Sequence, residues 1–89
     1  MITAITLNES ARKFEAELRK VAETSVEAKD LLLQIEPFIT EAKSVGSISN
    51  FNFRRLRFDR LFIDGPLADN INLANAYAKF SNQFEGLDV

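Results

Sequence analysis

Asp59, Asp64 and Asp69 recur at five-residue intervals, and they are the natural starting point for any catalytic reading. Paired carboxylates can shuttle protons or hold a divalent cation. Local chemistry accounts for these three more simply. Asp64 opens the turn Asp64-Gly65-Pro66, Asp69 stands near a helix start where the dipole favours an acid, and Asp59 lies among arginines that would neutralise it. The other routes to catalysis lack their reagents. The 89 residues contain no histidine and no cysteine, so imidazole bases, thiolate nucleophiles and the two most versatile metal ligands are missing. Gly46, Gly65 and Gly86 stand alone, which rules out a glycine-rich phosphate loop. The expectation is a non-enzymatic protein with no catalytic residue, no metal site and no cofactor.

The remaining local anomaly is residues 51–62, where Phe51, Phe53, Phe58 and Phe62 alternate with Arg54, Arg55, Arg57 and Arg60. Such a segment can be core, with the rings buried and the arginines snorkelling to solvent. It can also be a binding surface, because aromatic residues and arginine are what interface centres enrich. Both hold if some rings are buried while Arg54, Arg55 and Arg57 point outward. The candidate partner-binding set is therefore Arg54, Arg55, Arg57, Arg60, Phe51, Phe53 and Phe58, with Phe62 as a further anchor. Arginine pairs bidentately with carboxylates, so the partner expected is another protein with an acidic surface.

Two rival functions carry weaker signals. Ala42-x-x-x-Gly46 has helix-turn-helix spacing ahead of an arginine-rich stretch, as in a degenerate nucleic-acid-binding regulator. However, Asn52 stands where such motifs bury an aliphatic residue, and residues 61–89 hold one lysine against four acids, which would repel phosphate. The third reading is a self-assembling structural component or homodimer, built through an apolar seam along the first half of the chain.

That seam also sets the architecture. Ala11, Phe14, Leu18, Val21, Ser25, Ala28, Leu32, Ile35, Ile39 and Ala42 recur at alternating spacings of three and four, the signature of helix. Thr6-x-x-Glu9 has capping-box spacing at its start, and Thr24-Ser25-Val26-Glu27 has it again in the middle. The pattern predicts two helices, about 8–23 and 26–44, broken near Thr24. Pro37 falls opposite the seam, where a kink is tolerable. Val45-Gly46-Ser47-Ile48-Ser49 reads as a stop and turn. Leu73, Tyr77, Phe80 and Phe84, flanked by Ile71 and Ala74, mark a further helix over 67–85, launched by Asp64-Gly65-Pro66 and ended by Gly86. Its asparagines, Asn70, Asn72, Asn75 and Asn82, read as a solvated face.

Residues 51–62 fit two geometries. As a helix, Phe51, Phe58, Leu61 and Phe62 share a side. As a strand, Leu56 and Phe58 face away from Arg55, Arg57 and Asp59. Helix is favoured, because an isolated strand has nowhere to pair unless residues 1–7 join it. The fold expected over residues 1–89 is a single all-α domain, a small antiparallel helical bundle of about four helices. The alternative is an α+β fold with a two-stranded element from residues 1–7 and 53–63.

Composition agrees with a folded, soluble chain: 46% hydrophobic, 27% charged, formal net charge −2. The longest uninterrupted apolar runs, Leu31–Leu33 and Leu61–Ile63, are far too short to span a bilayer, and Met1–Ile5 lacks the basic start of a signal peptide. Cytoplasmic location and no membrane partner are expected. The function expected is a protein–protein interaction module, as an adaptor, inhibitor, immunity-type or assembly factor.

Overall fold

The computed structural model describes residues 2–87. Among them are four α-helices, α1 (Ala4–Ala22), α2 (Val26–Lys43), α3 (Arg60–Ile63) and α4 (Ile71–Glu85), one 3-10 turn (Ile48–Asn50) and no strand. The chain is an all-α bundle.

α1 starts earlier than the Thr6-x-x-Glu9 spacing predicts. Thr3 is the cap: its hydroxyl accepts from the Thr6 N–H at 3.1 Å, and the Thr6 hydroxyl accepts from the Thr3 N–H at 2.9 Å. The extra turn adds Leu7, fully buried, to the apolar stripe and lets the Thr6 hydroxyl donate to Gln83 of α4 at 2.8 Å. Of the predicted strand 1–7, Met1 lies outside the described residues, and residues 2–7 are helix from Ala4 onward and form no strand. The break between α1 and α2 falls where expected, but Ser25 rather than Thr24 is the cap, its hydroxyl accepting from the Ala28 N–H at 3.2 Å. Breaking the rod resets the phase of the stripe. Ala22 and Leu31 are buried, while the predicted seam members Val21 and Leu32 are only partly covered. Pro37 lies on the exposed side of α2, as the seam implied.

Both flanking helices run antiparallel to α1. Asn8 near its start donates to the Ala42 and Val45 carbonyls at the end of α2, satisfying acceptors left over by the helix terminus. Farther along, Arg19 reaches Glu36 at 3.8 Å. On the other side Thr6 meets Gln83, and Phe14 meets Phe80 and Tyr77 with ring centroids 5.4 and 5.5 Å apart. α2 and α4 therefore run in the same direction. The chain must travel back along the bundle between them, and residues 44–70 make that return.

The start of α4 also differs from the reading by periodicity. Asn70 is the cap, its carboxamide oxygen accepting from the Leu73 N–H at 3.0 Å. Residues 64–69 form turns, from which Leu67 enters the core while its N–H donates to the Leu61 carbonyl. Gly65 is required there, because a Cβ would lie 2.6 Å from the Leu61 Cα. The end is where expected. Gly86 takes the left-handed conformation (φ 75°), and the Leu87 N–H closes back onto the Asn82 carbonyl. Leu7, Phe14, Leu18, Leu31, Ile35, Ile39, Leu73, Tyr77, Phe80 and Phe84 join in one core, into which Leu56 and Leu67 of the return segment also pack.

Candidate functional site

The arginine–phenylalanine segment lies within the return from α2 to α4. The favoured helical reading of residues 51–62 is corrected by the structure: only Arg60–Ile63 is helical, a single turn, and residues 51–58 form a strap that is neither helix nor paired strand. The helix-turn-helix spacing at Ala42–Gly46 accordingly leads into a 3-10 turn and this strap, not into a recognition helix.

What holds the strap is an alternation of inward and outward residues. Arg54, Leu56 and Phe58 turn toward the bundle, while Phe53, Arg55 and Arg57 are exposed. Leu56 is 5% exposed. Backbone donors follow the same period: the Arg54 N–H bonds the Phe84 carbonyl, and the Leu56 N–H bonds the Glu85 carboxylate at 3.1 Å. The two-residue period is that of extended chain. It is the pattern weighed for a strand, realised without a neighbouring strand because the end of α4 supplies the acceptors.

Arg54 belongs to the fold. Its guanidinium forms a bidentate pair with Glu41 of α2 (2.6 and 2.9 Å), donates to the Asn52 carbonyl, and lies 4.8 and 5.5 Å from the ring centres of Phe84 and Phe38. The hydrogen bonds from Arg54 hold the Glu41 carboxyl below the usual range against its partial burial. Arg55 is open to solvent, and among the described residues its ion-pair partner is Asp59, at 3.9 Å. Arg57 and Arg60 are exposed and make no ion pair among the described residues. Arg57 also adopts φ 68°, the left-handed region that a non-glycine residue enters at a cost, and this ends the extended run.

The phenylalanines divide likewise. Phe51 is partly buried and meets Phe84 edge-on at 5.2 Å. Phe58 packs on Phe38 at 6.4 Å, and Phe62 stacks on Tyr77 at 4.3 Å. Phe53 remains 39% exposed, with its ring against Gly86 and edge-on to Phe51. Of the seven residues predicted for the site, Phe53, Arg55, Arg57 and Arg60 form the accessible face, and Arg54, Phe51 and Phe58 fasten it down.

No family model, curated protein or solved structure matches the chain.

Asp59, the acid among the arginines, has a partner that sequence reasoning missed. Its carboxylate accepts from the Tyr77 hydroxyl at 2.9 Å. Burial, then the adjacent Asp59, pushes the Tyr77 hydroxyl well above the ordinary tyrosine range, so it stays a donor. Asp59 thus accepts from Tyr77 and pairs with Arg55, while Arg57 and Arg60 keep no ion pair among the described residues. No cluster of three or more carboxylates suited to a metal ion occurs among the described residues. The asparagines of α4 acquire a place as well. Asn70 is the cap, and Asn72, Asn75 and Asn82 line a groove between α4 and α1 together with Glu9 and Lys13. No helix among the described residues is long and apolar enough to cross a membrane.

Proposed function

We propose that this chain works by binding another protein, as an adaptor, inhibitor, immunity-type or assembly factor, through the outward face of the strap. The observation that carries the reading is the unequal use of four neighbouring arginines. Arg54 is neutralised inside the fold by Glu41, while Arg55 reaches Asp59 only at 3.9 Å and Arg57 and Arg60 make no ion pair among the described residues. Three loosely compensated guanidiniums beside the exposed edge of Phe53 make a cationic, partly apolar surface, and an acidic protein surface is its complement. Anchoring supports the reading too: the strap is pinned by Arg54, Leu56 and Phe58, so little conformational entropy is lost on binding. The absence of imidazole and thiol from the whole chain favours binding over turnover.

The test is capture followed by measurement. The immobilised chain is used to isolate a binder, the binder is identified by mass spectrometry, and its affinity is compared for wild type and the triple variant R55E/R57E/R60E. Charge reversal is expected to weaken binding at least tenfold, to make the residual binding insensitive to salt, and to leave the melting temperature within a few degrees. Equal affinity in a folded triple variant would sink the proposal.

A further inference from the structure

The strap has a second property, resting on the protein-binding reading above: its outward backbone is unpaired. The N–H groups of Arg54 and Leu56 are taken by α4, but among the described residues the N–H groups of Phe53, Arg55 and Arg57 make no hydrogen bond within the chain, nor do the carbonyls of Phe53 and Arg55. One edge of the strap is therefore satisfied by the bundle, and the other offers donors and acceptors on alternate residues, as the edge strand of a sheet does.

We propose that this edge takes up an acidic segment of the partner in extended conformation, which pairs backbone to backbone with Phe53, Arg55 and Arg57 and lays carboxylates against the Arg55 and Arg57 side chains. Two features choose this occupant. An α-helical ligand spends its carbonyls on its own hydrogen bonds, so only an extended chain has acceptors to give. The edge carries Arg57, which makes no ion pair among the described residues, and Arg55, held by Asp59 only at 3.9 Å, and both favour an acidic strand over a neutral or basic one. Nucleic acid fits less well, because a phosphodiester backbone has no N–H donors to give the free Phe53 and Arg55 carbonyls, which a peptide backbone supplies. The left-handed Arg57 turns the chain away, so the paired run is short, about five residues or roughly 17 Å of strand. Such a ligand draws orientation from the backbone and attraction from charge.

The experiment uses the full chain, labelled with nitrogen-15, and a capped six-residue peptide alternating glutamate and valine. Binding is expected to slow hydrogen exchange at the Phe53, Arg55 and Arg57 amides at least tenfold, with the Arg54 and Leu56 amides unchanged. The same peptide N-methylated on alternate residues is expected to bind at least tenfold more weakly in the methylation register that blocks its paired edge. Binding without amide protection, or equal affinity for both methylation registers, overturns the strand-pairing inference while leaving the cationic surface intact. No binding at millimolar peptide overturns it as well. The broader reading is decided separately, by the affinity of the captured partner for R55E/R57E/R60E.

Discussion

Arg54 and Arg55 are adjacent in the chain, identical in chemistry and opposite in role. The Arg54 pair is half exposed, so its value comes from several modest contributions: a bidentate ion pair and two cation–π contacts, each about 0.5–1 kcal/mol at such sites. Arg54→Met is expected to lower unfolding free energy by about 1–2 kcal/mol in denaturant titration, whereas Arg55→Met changes it by less than about 0.5 kcal/mol. Equal effects would place both side chains in the same environment. Tyr77 supplies a pH signature. Its folded pKa is raised, so its contribution is complete below the unfolded value of about 10 and is lost as pH climbs from there toward the higher folded value. Tyr77→Phe is expected to flatten the alkaline limb of the stability profile above pH 10. Glu15 and Glu41 behave in the opposite sense. Each is held low, Glu15 chiefly by its hydrogen bond from Lys43 and Glu41 by that from Arg54. Their contribution is present above the ordinary 4.5 and drains away as pH falls below it, so E15Q/E41Q is expected to shallow the acid limb.

At the scale of elements, the helix ends determine where the strap begins and finishes. Gly86 stops α4 in a left-handed turn, and a Cβ there would come within 3.1 Å of the Phe53 ring. Gly86→Ala is expected to cost at least about 1 kcal/mol and to displace Phe53, which a shift in aromatic proton resonances would report. Ser25→Ala, by contrast, removes a cap far from the strap. A cost of about 1 kcal/mol with no change at Phe53 is expected, and thermal melts with the same spectra check both halves of that statement. The helices themselves were readable from spacing, since α1, α2 and α4 each carry an apolar stripe at helical period. Their first residues were less readable, because Thr3, Thr6, Thr24, Ser25 and Asn70 are all competent caps. Only packing partners such as Leu7 against the core and Thr6 against Gln83 select among them.

For the whole molecule, Phe14 is the keystone, fully buried and in ring contact with Phe62, Tyr77 and Phe80. An 89-residue domain has about 5–13 kcal/mol of stability in total, and deleting a buried ring costs about 3–5 kcal/mol. Phe14→Ala is therefore expected to leave a substantial unfolded population at 37 °C, visible as lost near-ultraviolet dichroism. Because the return segment crosses α2 and α4 and touches α1 through Phe62, the same variant should also release the strap. Partner binding would then fall even though Phe14 is fully buried and takes no part in the exposed face itself.

The residues alone favoured an all-α chain over the α+β alternative and marked three of its helices, the break near Thr24, the stop at Gly86, and the segment in which cations and rings concentrate. Those features depend on local periodicity and on missing side-chain types, both of which survive without knowledge of neighbours. Tertiary structure decided the rest: that residues 51–58 are a strap, that Arg54 faces inward, and that Asp59 serves Tyr77. A mixed Arg/Phe run scores alike as helix or strand. The choice falls to groups more than ten residues away, Glu41, Phe84 and Glu85, whose acceptors and rings come within reach only once α2 and α4 have both packed on α1.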